Sequence, residues 1–131
     1  MDLYEAMSTQ RAVRRLRPDP IPDDVLDRVL QAAAWAPSGA NQQPWRIVAV
    51  TDAAIKQGLE DLYRPEWERF SAVYTARIEA ADGAERDTLA KTGAAGDHLA
   101  THLHAAPVLL GFFFDPRQMA VTDRKLERVS V

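Results

Sequence analysis

Between an upstream amphipathic stretch and an apolar run, the chain reads Ala36-Pro37-Ser38-Gly39-Ala40-Asn41-Gln42-Gln43-Pro44-Trp45. A connecting turn needs glycine, proline and at most one asparagine. Asn41, Gln42 and Gln43 add planar sets of donors and acceptors, the chemistry suited to reading the edges of a flat heterocycle. A second group lies further upstream. Arg11, Arg14, Arg15 and Arg17 fall within seven residues of a chain whose formal net charge is −3. A guanidinium meets two phosphate oxygens at once, and each charge-assisted bond contributes about 1.5–3 kcal/mol. An anion beside a flat ring points to a phosphorylated cofactor.

The elements that must position these groups follow from periodicity. Asp2 to Thr9 reads as a short helix with Leu3, Ala6 and Met7 on one side, and the arginine segment after it as an extended arm kept from helix by Pro18, Pro20 and Pro22. A second helix is predicted to start near Pro22 and Asp23, to carry Val25, Leu26, Val29, Leu30 and Ala33 on one face, and to stop before Pro37. After the amide loop, Ile47 to Val50 reads as a buried strand, and Thr51-Asp52 as the cap of a helix from Ala53 to about Tyr63. Pro65 then opens a further helix with Trp67, Phe70 and Tyr74, ending at Asp82-Gly83. A helix from about Ala84 to His104, with Gly93 or Gly96 as candidate interruptions, precedes a second strand from Val108 to Phe114. This order describes one α+β domain over residues 1–131, helices massed on a small central sheet.

Composition narrows the partners. At 131 residues, 47% of them hydrophobic and 27% charged, the chain has the make-up of one globular domain. It has no cysteine, which excludes disulfides and thiolate metal sites and fits a reducing cytoplasm. Its first residues, Met1-Asp2-Leu3-Tyr4-Glu5, lack a basic segment followed by an apolar one, so no secretory signal is expected. The apolar run from Ala105 to Phe114 has ten residues, about half of the ~20 that span a bilayer. A cytoplasmic protein with neither a membrane nor a nucleic-acid partner is expected.

On the motif Arg11-Ala12-Val13-Arg14, the following Asp19-Pro20-Ile21-Pro22, and the whole amide loop, the chain resembles the FMN-dependent nitroreductase family. The resemblance implies a homodimer with FMN at the subunit interface. The arm residues Arg11, Ala12, Val13, Arg14 and Arg15 would serve the phosphate. Pro37, Ser38, Gly39, Asn41 and Gln43 of the other copy would meet the ring and ribityl chain, and His98 would lie under the pyrimidine. It further implies electron transfer from NADH or NADPH to a small organic acceptor such as a nitroaromatic or quinone, by a ping-pong route. No catalytic side chain is needed, because the flavin carries the chemistry. Two departures stand out. Gln10 and Ala12 occupy positions where the family often has a basic residue and a serine, with Arg15 or a backbone amide left to compensate. Family members are also usually longer, so a domain truncated at its C-terminus, with a partial cofactor site, is expected. A non-catalytic, flavin-binding remnant is the alternative.

Other signals have plainer readings. His98 and His102 stand at i and i+4, a spacing that could hold a metal with Asp97 or His104 as third ligand, but no glutamate lies between them in the protease-motif position; packing or surface exposure is the plainer reading, and no metal is expected. Trp67, Phe70 and Tyr74 form a stripe suited to core or dimer packing, or to a lid over a ring.

Overall fold

The structure is a computed structural model and describes residues 2–118. The chain forms two compact units. Of the described residues, one contains 2–20 together with Thr51–Pro107; the other contains Ile21–Val50 and 108–118.

The first unit is helical. Helix α1 (Leu3–Thr9) is capped by Asp2, whose carboxylate accepts from the Glu5 N–H at 2.8 Å. The arginine arm follows without regular structure, as its prolines require. Helix α3 (Ala53–Ala80; α2 lies in the other unit) is capped by Asp52, which accepts from Ile55 N–H at 2.9 Å. It runs unbroken through Pro65, where two helices are predicted from the sequence. A proline inside a helix removes one hydrogen bond and costs ~3 kcal/mol. Here the helix is held on both sides of Pro65 by helix α4 (Gly83–His102) and the short 3-10 turn that follows it (Leu103–Ala105). Gly83, at φ +53°, makes the tight entry into α4.

The seam between α3 and α4 explains why Gly93 and Gly96 do not interrupt α4. Both are buried against α3. A Cβ at Gly96 would stand 2.1 Å from the Trp67 indole, whereas one at Gly93 would sit 3.9 Å from Ile78. Trp67 lies across the bare backbone and donates its indole N–H to Asp97 at 2.8 Å. Phe70 and Tyr74 continue its stripe, with ring centroids 5.7–6.2 Å apart among the three.

Further along the seam two charged residues of α3 are buried, Lys56 and Glu60. The Lys56 ammonium donates to the Ala106 carbonyl at 2.7 Å. Glu60 Oε2 accepts from the His104 backbone N–H at 3.0 Å and lies 2.6 Å from its ring Nδ1. Burial pushes the Glu60 carboxyl up, but the backbone N–H and ring of His104 outweigh it and leave the group below its ordinary value.

In the second unit, helix α2 (Asp23–Ala34) begins after Pro22 with Asp23 and Asp24 in its first turn, where negative charge meets the positive end of the helix dipole. Strands β1 (Trp45–Val50) and β2 (Leu109–Phe114) pair antiparallel, Trp45 opposite Phe114 and Val50 opposite Leu109. The Asp115 N–H extends the pairing to the Pro44 carbonyl at 2.9 Å, tying the end of the amide loop to the end of β2. The predicted buried strand is only half so. Val48 and Ala49 are exposed, and among the described residues the sheet has two strands.

The two glycines of α4 should respond oppositely to one substitution. Gly96→Ala forces the indole off its seat and is expected to lower stability by about 1–3 kcal/mol. Gly93→Ala meets only ordinary contact and gains helix propensity of about 0.5–1 kcal/mol. Urea denaturation of the two variants checks both signs.

Candidate functional site

The amide loop is a closed turn with an unusual backbone. A 3-10 turn at Gly39–Asn41 is stabilised by Asn41 N–H to Ser38 O at 2.9 Å and Gln42 N–H to Gly39 O at 3.2 Å. Ala40, Asn41 and Gln43 all lie in the left-handed region, at φ 51°, 53° and 47°. Asparagine tolerates that region; alanine pays roughly 1–2 kcal/mol for it. Strain of this kind persists where surrounding contacts over-determine the loop, and here they do. Ser38 Oγ accepts from the Gln43 backbone N–H at 2.9 Å. The Gln43 side chain donates through Nε2 to Asn41 Oδ1 at 2.7 Å and accepts through Oε1 from the Trp45 indole N–H. The amides expected to read a ligand thus first bind one another. Gln43 is half-buried and braces the loop, while Asn41 is exposed. Gln43 and Trp45 also line a groove of about 740 Å³ with Leu30, Gln31 and Ala34 of α2.

The arginine arm does not act as a uniform cationic run. Arg11 closes the end of α1 by donating to the carbonyls of Ser8 at 3.1 Å and Gln10 at 2.6 Å. Ala12 and Val13 are exposed. Arg17 pairs with Asp19 at 3.1 Å on the surface, where such pairs contribute little. Arg14 is half-buried and has no ion pair among the described residues. It lines a concavity of about 240 Å³ with Leu16, Pro18, Leu99 and two histidines of α4, His98 and His102. Arg15 reaches the same helix, its guanidinium 3.3 Å from His98 Nδ1.

His98 and His102 stack with centroids 4.1 Å apart, and His102 Nδ1 lies 2.9 Å from the His98 carbonyl. Partial burial, then the positive charges of Arg15 and His102, hold the His98 imidazole below its ordinary value of 6.5. The neutral ring, with a lone pair toward Arg15, is the form the fold favours. Among the described residues no group of three His, Cys, Asp or Glu side chains is arranged to hold a metal, and no helix is long and apolar enough to cross a membrane.

The structure therefore gathers Arg14, Arg15 and His98 in the first unit. It gathers Pro37, Ser38, Gly39, Asn41 and Gln43 in one turn of the second. Arg11 goes instead to a helix terminus. Sequence reasoning did not foresee the Trp45 indole as a donor to Gln43, nor His102 in the same concavity as Arg14. The available signals were an indole donor two residues after a glutamine, and a second histidine one turn after His98.

The Nitroreductase family model matches residues 7–130. The chain belongs to the nitroreductase family. Over 65 residues, 50% of this chain and 22% of the other, it is 38% identical to an iodotyrosine deiodinase of Danio rerio. Over 61 residues, 47% of this chain and 30% of the other, it is 46% identical to an NADH dehydrogenase of Thermus thermophilus. The matched stretches span less than a third of either relative. Among solved structures, oxidized iodotyrosine deiodinase bound to FMN and 3-iodo-L-tyrosine aligns with a TM-score of 0.63 and 27% identity, over 86% of this chain and 56% of that one. The α+β fold expected from the sequence, mostly helical with a small antiparallel sheet, is thus the nitroreductase fold.

Two outcomes follow from this geometry. Ala40→Gly relieves the left-handed strain at some cost in chain entropy and is expected to raise stability by about 0.5 kcal/mol, whereas Ala40→Val lowers it by more than ~1 kcal/mol; chemical denaturation reads both. Arg15→Gln removes one charge beside His98, so the His98 titration midpoint, followed by imidazole NMR, is expected to rise toward its ordinary value. Because the folded-state value is the lower one, the stability His98 contributes is complete above pH 6.5 and is lost as pH falls through that folded value. Arg15→Gln should bring the folded value closer to 6.5 and so make that loss smaller.

Proposed function

We propose that this nitroreductase-family protein is an FMN-dependent oxidoreductase that carries electrons from NADH or NADPH to a small organic acceptor. The observation that carries the reading is Arg14, a half-buried arginine that lines a concavity without an ion pair among the described residues, in a chain of net negative charge. Burying a cation without a counter-charge is costly, and a phosphate group relieves that cost with charge-assisted bonds. The amide loop supplies complementary chemistry for a planar ring, and the FMN-bound relative of the same fold supports the choice of ligand.

The donor set fits FMN. Arg14, with Arg15 beside it, would hold the phosphate. Ser38 and the exposed Asn41 side chain would face polar atoms of the ring and ribityl chain, and His98 would offer a neutral imidazole to the ring. Ala12 brings no hydroxyl to the phosphate, which leaves more of the task to the guanidiniums. FMN, when bound, supplies the two-electron chemistry; the protein places it, excludes water and stabilises charge at its polar edge. In this proposal the protein is a homodimer, the arm of one copy and the loop of its partner serving one cofactor.

Nitroaromatics and quinones suit a ping-pong reductase with one groove for donor and acceptor in turn. Likeness to iodotyrosine deiodinases adds halogenated phenols to the acceptor classes, with an aryl–iodine bond replaced by aryl–hydrogen as iodide leaves and the nicotinamide supplies the hydride. Likeness to an NADH dehydrogenase supports NADH as donor.

The test is FMN titration of the full chain. At a hundredfold excess over Kd the ligand stabilises by about 2.7 kcal/mol, so the melting temperature should climb and the protein should turn yellow. Anaerobic NADH or NADPH should then bleach it, and a nitroaromatic, a quinone or an iodinated tyrosine should restore the colour. Arg14→Gln should weaken FMN about 10- to 100-fold. A wild-type protein that neither melts higher nor colours with FMN defeats the proposal.

A further inference from the structure

We infer that Trp45 sets the polarity of a two-amide relay, Gln43 to Asn41, so that the loop offers its ligand an N–H donor and not a carbonyl oxygen; this rests on the flavin reading above. An indole has one polar atom, and it can only donate. Its partner must therefore be an acceptor, which turns Gln43 Oε1 toward Trp45 Nε1. The opposite end of the same amide, Nε2, is left to donate, and Asn41 Oδ1 receives it at 2.7 Å. With its oxygen engaged, Asn41 ends the relay in an NH2 group on an exposed side chain.

Flipping either amide alone sets donor against donor or acceptor against acceptor, and flipping both sets the Gln43 NH2 against the indole N–H. The backbone gives little room for escape. Gln43 is held at φ 47° with its N–H on Ser38 Oγ, and Asn41 at φ 53°. Gln43 and Trp45 are positioning residues that act through Asn41. The ligand atom the loop selects is an acceptor on a planar edge, a ring carbonyl oxygen or an unprotonated ring nitrogen, and a donor on that edge is rejected. A flavin offers several such acceptors.

Gln43→Glu tests the polarity itself. A carboxylate still accepts from Trp45 but can no longer donate, so Asn41 must turn its NH2 inward and present oxygen to the ligand. Gln43→Met breaks the relay without reversing it. Asn41→Asp, which leaves Gln43 and Trp45 in place, also ends the relay in oxygen. Binding is measured for FMN and for uncharged riboflavin on the full-length chain, with circular dichroism melts to establish that each variant folds. Expected is a loss of tenfold or more for Q43E and N41D with both ligands, and about threefold for Q43M. Equal losses for Q43E and Q43M, or losses with FMN but not riboflavin, overturn the inference, the latter because charge repulsion then explains them. Should the wild type bind neither flavin, the cofactor reading fails on its own and the relay is judged in the ligand-free protein by NMR. An upfield move of the Trp45 indole proton in Q43M together with a shift of the Asn41 NH2 pair in Q43E supports it, and unmoved resonances overturn it.

Discussion

Two buried charges one turn apart on α3 are the constraint on which the helical unit depends. A buried ammonium or carboxylate must be paired or it destabilises the fold by several kcal/mol. Lys56 finds the Ala106 carbonyl, and Glu60 finds both the backbone N–H and the ring of His104. These bonds pin the end of α4 and its terminal turn to the first half of α3. The rest of the seam then follows in order, Trp67 over Gly96 and Ile78 beside Gly93, as an antiparallel helix pair requires. Among the described residues the buried apolar side chains are small, Ala100 and Ala106. Close backbone approach and paired buried charge, more than bulky side chains, hold this unit together.

That fixed seam gives the arginine arm something to rest on. α4 presents His98 and His102 as a stacked pair, and the arm brings Arg14 and Arg15 to them. Keeping His98 neutral is how such a cluster avoids accumulating three positive charges, and it leaves the guanidiniums as the permanent cations. In the other unit the same economy operates with neutral groups. The loop's amides satisfy one another through Ser38, Gln43 and Trp45, and the left-handed backbone is the cost of bringing them into range.

Much of this was legible in the residues. The limits of α1 and α2 came from Asp2, Pro22 and Pro37, and the strands from β-branched and aromatic runs. The amide loop and arm carried the family resemblance. Other features were not legible. Pro65 reads locally as a helix start, and contacts with α4 on one side and with the turn that follows α4 on the other carry α3 through it. Gly93 and Gly96 read as breaks because the indole and isoleucine that face them lie far away in sequence. Arg11 and Arg14 look equivalent in the sequence, yet one caps a helix and the other lines a concavity.

By itself, then, the sequence determined which groups are available, guanidiniums and planar amides at family spacing, and which segments are helix, strand or turn. Those are matters of local sterics, periodicity and residue chemistry. Tertiary structure alone decided that Arg14 lines a concavity without an ion pair among the described residues, that His98 faces Arg15, and which way each amide points. Hydrogen-bond polarity and the energy of a charge depend on what stands opposite, and an opposite group such as His98 for Arg15 is brought near only by the folded chain.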